Sequence, residues 1–127
     1  MKLRTLTNSI RIRLRKSELV SLQQEKVIEE KVSFPAGPVF SYALTISSSA
    51  DQLQATYENH QMRIKIPESI ARQWMNTNEV GINADIPLPN GEALSILIEK
   101  DFPCTDREEE DKSDTFWELV SDDPKAC

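Results

Sequence analysis

At 127 residues, with 39% hydrophobic and 28% charged residues, the chain has the composition of one globular domain rather than of a disordered protein. Its net charge of -6 argues against sequence-independent binding of nucleic acid, and two cysteines are too few for a disulfide scaffold. The N-terminus lacks the apolar stretch of a signal peptide, and no apolar run is long enough to cross a bilayer. We therefore expect a cytoplasmic protein without a membrane partner.

The charge is distributed unevenly along the chain. The first 16 residues carry six cations and no acid, whereas residues 106–127 carry nine acids and three cations. Residues 1–105 are neutral in sum. We expect residues 1–105 to form the domain and residues 106–127 to form an acidic, partly disordered tail.

The first half of the chain reads as strand, strand, helix, strand, strand. Apolar and charged residues alternate in residues 2–6 and 10–14, which predicts two strands joined through Asn8 and Ser9. Helical spacing of Leu19 and Leu22 predicts a helix from Lys16 to about residue 25. Residues 27–34 and 40–46 alternate again on either side of a turn at residues 35–38.

The second half repeats that order. Residues 53–58 and 62–66 alternate around an expected turn at Asn59 and His60, and Pro67 opens a helix in which Ile70 and Trp74 stack at i, i+4 spacing. Strands are predicted at residues 80–86 and 93–100, with a hairpin turn at residues 90–91. A shift of 52 residues carries residues 11–14 (RIRL) onto residues 63–66 (RIKI).

These patterns predict an α+β domain made of a duplicated ββαββ unit, with repeats at about 1–50 and 52–102. The strands would form a mainly antiparallel sheet, curved or closed into a barrel, with the two short helices packed on its apolar face.

Three stretches carry a family resemblance. Residues 8–14 (NSIRIRL), 40–44 (FSYAL) and 98–104 (IEKDFPC) are similar to a small family of bacterial proteins known as a domain of unknown function. The likeness extends to about Asp114, and residues 116–120 (FWELV) replace the Pro-rich ending usual in that family. Because the family has no assigned activity, the resemblance implies no functional residues.

The polar side of the predicted strands is rich in cations. If the sheet closes, Arg11 and Arg13 would approach Arg63 and Lys65, and guanidinium groups recognise phosphate and carboxylate bidentately. A solvated outer face that discourages edge aggregation is the alternative interpretation. The predicted anion-binding residues are Arg4, Arg11, Arg13, Lys31, Arg63 and Lys65.

The predicted element order resembles that of the triphosphate tunnel enzymes of the adenylate cyclase–thiamine triphosphatase group. Their early Glu-x-Glu-x-Lys metal motif is absent here, and only Glu29, Asp85 and Glu99 are available as metal ligands on the polar side. We therefore predict a non-catalytic binding or adaptor module without a cofactor. The alternative is a metal-dependent hydrolase of a phosphorylated or triphosphate ligand, in which these acids would hold the cation.

Three further features of the sequence could carry chemistry. His60 is the only histidine, and its position favours a turn residue over an acid–base catalyst. Cys104 lies among carboxylates and is predicted to be a small buried side chain. The acidic run at residues 106–111 precedes Phe116, Trp117 and Leu119. We hypothesise that this aromatic segment docks on the domain or on a protein partner while the acids screen the basic face.

Overall fold

A computed structural model describes residues 1–103, 114 and 116–119. These residues form an α+β structure with eight strands, two α-helices and one 3₁₀ turn. In chain order the elements are β1 (Lys2–Leu6), β2 (Ser9–Leu14), α1 (Lys16–Glu25), β3 (Val27–Val32), β4 (Phe40–Ser47), β5 (Gln54–Glu58), β6 (Gln61–Pro67), α2 (Glu68–Asn76), β7 (Gly81–Pro87), β8 (Ala93–Lys100) and the 3₁₀ turn Trp117–Leu119.

The strands form two mixed four-stranded sheets. Sheet A has the order β1-β2-β8-β7, and sheet B has the order β3-β4-β6-β5. In each sheet the two outer pairs are antiparallel, and the central pair, β2–β8 or β4–β6, is parallel. Each sheet therefore takes one antiparallel strand pair from each half of the chain.

The prediction of a single sheet curved or closed into a barrel is wrong. Both sheets in the described part of the chain are open, each ending in two edge strands. The expectation of an α+β fold with two helices is confirmed, and four of the six strand pairings are antiparallel. Alternation assigns a residue to a face of a sheet but does not specify which strand lies beside it, and this is where the prediction failed.

One hydrophobic core joins the two sheets and both helices. Ile12, Leu14, Ile96 and Ile98 of sheet A and Leu44, Ile64 and Ile66 of sheet B belong to the same buried cluster, together with Leu22, Ala71 and Trp74 of the helices. Each helix contacts strands of both sheets. The polar faces of sheets A and B are consequently turned away from a shared interior.

Local signals account for most element ends. The carboxylate of Glu18 accepts a hydrogen bond from the backbone N–H of Arg15 at 2.8 Å, which caps the start of α1. Lys26 ends this helix in the left-handed conformation, with φ 65°, and its N–H donates to the Leu22 carbonyl. In α2, Trp74 is fully buried, whereas Ile70 is 36% exposed.

The hairpin turns use residues that tolerate positive φ. Asn8, Asn59 and His60 have φ between 50° and 62°, and Gly91 has φ 87°. His60 therefore serves as a turn residue, and its carbonyl accepts a hydrogen bond from the Ser41 N–H. Neither α-helix of the described chain is long and apolar enough to span a membrane.

Candidate functional site

A shallow polar groove of about 570 Å³ lies on the outer face of sheet B. All four strands of that sheet or their turns contribute to it. Its lining residues are Glu29, Lys31, Ser41, Thr56, Glu58, Asn59, Gln61, Arg63 and Lys65.

The strand register explains why a depression forms there. Residues of β4 pair with β3 on one side and with β6 on the other, so Ser41 lies between Lys31 and Gln61. Two residues further along β4, Ala43 lies between Glu29 and Arg63. Side chains on these positions share one face because a strand repeats every two residues. The small residues of β4 thus form a floor between longer, charged side chains.

Hydrogen bonds fix part of the groove. Arg63 donates through Nη2 to the Gln61 side-chain oxygen at 2.9 Å, and Gln61 donates through Nε2 to Glu29. The ammonium of Lys31 lies 3.6 Å from the same carboxylate. Three cations and two carboxylates line the groove, which leaves one excess positive charge.

The six predicted anion-binding residues fall into two groups. Lys31, Arg63 and Lys65 line the groove of sheet B, whereas Arg4, Arg11 and Arg13 belong to sheet A. Since the two sheets share a core and turn their polar faces apart, the groups do not meet. The expected approach of Arg11 and Arg13 to Arg63 and Lys65 depended on barrel closure, and it is not realised.

On sheet A, the cations gather around one buried acid. Arg13 donates through Nε to Glu99 Oε1 at 2.5 Å, and both residues are buried. The Nε of Arg11 lies 3.7 Å from the same oxygen, and the Arg13 guanidinium lies 5.8 Å from the centre of the Phe102 ring. This arrangement combines an ion pair with a cation–π contact and joins β2 to β8.

The three candidate metal ligands are separated. Glu29 lies in the groove of sheet B, while Asp85 and Glu99 lie on β7 and β8 of sheet A, where Glu99 is bonded to Arg13. Within the described ranges, no group of three or more His, Cys, Asp or Glu side chains has a metal-binding arrangement. The enclosed interior expected by analogy with the tunnel enzymes does not form, because neither sheet closes.

A cluster of ionised groups that sequence reasoning missed lies at the start of β1. The α-amino group of Met1 contacts the carboxylate of Glu18 and donates to Glu30 at 3.0 Å, and the Tyr42 hydroxyl donates to the Met1 carbonyl at 2.9 Å. No sequence signal pointed to the contact of Glu18 with Met1.

Burial and charge shift three pKa values in this cluster. Burial favours the neutral form of Glu18, but hydrogen bonds from Met1 and from the Arg15 backbone outweigh it and hold the pKa of Glu18 below its ordinary value. Burial likewise opposes the charge on the Met1 amine, yet Glu18 and Glu30 raise the pKa of that amine. Burial and then the charges of Glu30 and Glu18 raise the pKa of Tyr42.

The C-terminal features are described only in part. Phe116 is 74% and Leu119 is 75% exposed, so neither side chain docks on the described domain. The hypothesis that this segment packs on the domain is therefore not supported for these two residues, while a partner stays a prediction. Cys104, Cys127 and the acidic run at residues 106–111 lie outside the described residues.

The fold and groove define an α+β protein with two mixed four-stranded sheets and a charged depression on one of them. The chain belongs to DUF7009, a family of unknown function, whose model matches residues 1–118. The predicted resemblance to a family of unknown function is thus confirmed, and the match extends past Asp114 into the aromatic segment. No curated protein and no solved structure matches the chain.

Proposed function

We propose that the protein is a non-catalytic binding module whose sheet B groove takes a small phosphate-like anion. The observation that carries this proposal is the placement of Lys31, Arg63 and Lys65 around one groove. Ammonium and guanidinium groups form charge-assisted hydrogen bonds with oxyanions, and these are stronger than neutral ones.

Neutral donors in the groove support the same ligand class. The hydroxyls of Ser41 and Thr56 and the amide of Asn59 line it, and each can donate to a phosphate oxygen. The hydrogen bond from Arg63 to Gln61 holds the guanidinium over the groove before a ligand arrives. Binding then requires less ordering of the Arg63 side chain.

Sheet A supports the proposal less well. Arg13 is buried and bonded to Glu99, so an anion would have to displace an existing ion pair. We therefore narrow the six predicted residues to Lys31, Arg63 and Lys65 as ligand contacts. Arg13 is assigned a structural role in joining β2 to β8.

We further propose that the two halves descend from one duplicated ββαββ unit in a cytoplasmic bacterial protein. Two features of the strand pairing support the duplication. Ser9 and Gln61, which are 52 residues apart, each begin a central parallel pair, with Ser95 and Ser41 as partners that are 54 residues apart. Each sheet also combines the first hairpin of one half with the second hairpin of the other.

The test is calorimetric titration with tripolyphosphate at low and moderate salt. Arg63→Gln should weaken binding about tenfold, because it removes a charge-assisted donor from the groove. Arg72→Gln is the matched control, since Arg72 is an exposed arginine on α2 paired with Glu68 at 3.0 Å. Equal affinity of the Arg63→Gln variant and the unmodified protein would refute the groove as the site.

One further variant and one further titration condition separate the alternative sites and functions. Arg11→Gln should leave the tripolyphosphate affinity unchanged if sheet B holds the ligand. A loss of affinity in this variant would instead indicate a site on sheet A. Repeating the titration with magnesium tests the hydrolase alternative, which predicts that magnesium is required and that orthophosphate is released. Binding without magnesium and without release supports the non-catalytic module.

A further inference from the structure

A second cavity, of about 330 Å³, lies away from the groove. It is a partly open cavity bounded by the junction of β2 with α1, the last turn of α2 and the end of β8. Leu14, Leu19 and Met75 supply its mostly apolar walls. Its volume falls at the lower end of the roughly 300–1,000 Å³ typical of small-molecule sites.

Cations surround this apolar cavity. Arg15, Lys16 and Lys100 line it together with one acid, Asp101. The carboxylate of Asp101 lies 3.3 Å from the ammonium of Lys2, so its charge is compensated from outside the cavity. The lining consequently retains an excess of positive charge next to an apolar interior.

The geometry holds two of these cations near the cavity. The ammonium of Lys100 donates to the Thr77 carbonyl at 2.8 Å, and an ammonium has two further N–H groups. Arg15 engages Glu18 through Nε at 3.3 Å, and its guanidinium carries four other N–H groups. Lys16 is exposed and begins α1, where the helix dipole also favours an anion.

We propose that this cavity binds an aliphatic carboxylate of medium chain length. The chain would lie against Leu14, Leu19 and Met75, and the carboxylate would face Lys16 and Lys100. A polyphosphate would leave the apolar walls uncovered, and a neutral alcohol could accept a hydrogen bond but would leave the cations without a counter-charge. The combination of one apolar cavity and a cationic rim fits a ligand with one chain and one charge.

The unmodified protein gives the first test. Butanoate, hexanoate and octanoate are titrated, and the methyl signals of Leu14, Leu19 and Met75 are followed by NMR. Affinity should rise by up to about fourfold for each methylene that finds apolar contact, and then level off when the cavity is filled. Octanol should bind more weakly than octanoate. Affinity that is independent of chain length, equal binding of octanol, or shifts confined to other residues would each overturn the proposal.

A variant tests the charge contribution. Lys16→Gln should weaken octanoate binding about two- to fivefold, as expected for a partly solvated ion pair, without unfolding the protein because Lys16 is exposed. Lys31→Gln removes a lysine from the sheet B groove and should leave octanoate affinity unchanged. With tripolyphosphate the opposite is expected: Lys31→Gln should weaken binding and Lys16→Gln should leave it unchanged. Failure of the cavity proposal and failure of the groove proposal therefore give different results. Unchanged octanoate affinity in Lys16→Gln would contradict the assignment.

Discussion

The α-amino group of Met1 lies between the carboxylates of Glu18 and Glu30. Glu18 also accepts the Arg15 backbone N–H, so one carboxylate both caps α1 and binds the first residue of the chain. Glu30 keeps 43% of its side chain exposed, whereas Glu18 keeps 9%. The buried carboxylate therefore carries most of the electrostatic contribution of this cluster.

Glu18→Gln should lower the free energy of unfolding by about 1–3 kcal/mol at neutral pH, because it removes hydrogen bonds to an ionised, buried group. The pKa of Glu18 is lowered in the folded state, so its contribution is complete above the unfolded pKa of about 4.3 and is lost as pH falls through the folded value. Urea unfolding across that acidic range should show the variant and the unmodified protein converging in stability.

Glu25→Gln is the control for that measurement, since Glu25 is an exposed acid in the same helix. It should change stability by less than about 0.5 kcal/mol. A constant difference between the Glu18 variant and the unmodified protein down to the lowest pH would contradict the lowered pKa of Glu18.

Period-two alternation predicted the buried positions of central strands but not those at an edge. In the alternating ranges 10–14 and 62–66, the apolar residues Ile12, Leu14, Ile64 and Ile66 are all buried. In the alternating range 27–34, Val32 and Phe34 are apolar members of the pattern, yet they are 43% and 57% exposed. β3 is an edge strand that ends at Val32, so little packs over these side chains. Whether a strand lies at an edge depends on distant pairing, which local sequence does not encode.

At the scale of elements, helix α1 shows how a helix ends without glycine. Its predicted bounds agree with the observed Lys16–Glu25, although no glycine marked its end. Lys26 adopts φ 65° and its N–H closes the last turn on Leu22. A residue with a Cβ is strained in this conformation, whereas glycine adopts it freely.

Lys26→Gly should therefore raise the free energy of unfolding by about 0.5–1 kcal/mol. Glycine makes the unfolded chain more flexible, which destabilises the fold, but the relief of strain at the helix end is the larger effect. Thermal unfolding monitored by circular dichroism gives the measurement. Lys26→Ala removes the same side chain but keeps a Cβ, so it should not stabilise the protein. Equal stabilisation by alanine and glycine would show that the side chain, rather than the backbone conformation, is responsible.

The positions of the hairpin turns could be predicted from the sequence to within one residue. The first hairpin was placed at Asn8 and Ser9, whereas Ser9 already belongs to β2 and Asn8 carries the positive φ. Asn59 and His60 form the second turn as expected. Such turn positions can be predicted from sequence because few residue types tolerate positive φ, and asparagine is one of them.

At the scale of the whole molecule, the two halves interlock. The parallel pairs β2–β8 and β4–β6 lie at the centre of their sheets and join strands from different halves. Either half alone would lose both central pairs and expose core residues of both sheets. This arrangement was missed because alternation and repeat length are the same whether a half pairs with itself or with the other half.

We expect fragments 1–50 and 51–127 to lack cooperative unfolding when separate and to regain it when mixed. Trp74 is fully buried and its indole N–H donates to the Val80 carbonyl, so its fluorescence reports assembly of the core. The measurement uses a Trp117→Phe background to isolate that signal. Residues 1–50 contain no tryptophan, so unfolding of that fragment is followed by circular dichroism. A cooperative transition of this fragment alone would show that a half is an independent folding unit.

The pairing of β2 with β8 also governs how this protein can fold as it is synthesised. Arg13 and its partner Glu99 are 86 positions apart, so nearly the whole described chain must leave the ribosome before sheet A can be completed. At the usual elongation rate of about 5–20 residues per second, β2 waits for several seconds with its inner edge unpaired. Long-range strand pairing of this kind is slow as well as late. Until β8 has been synthesised, the nascent polypeptide accordingly presents the open edge of β2 and its uncovered apolar face to chaperones.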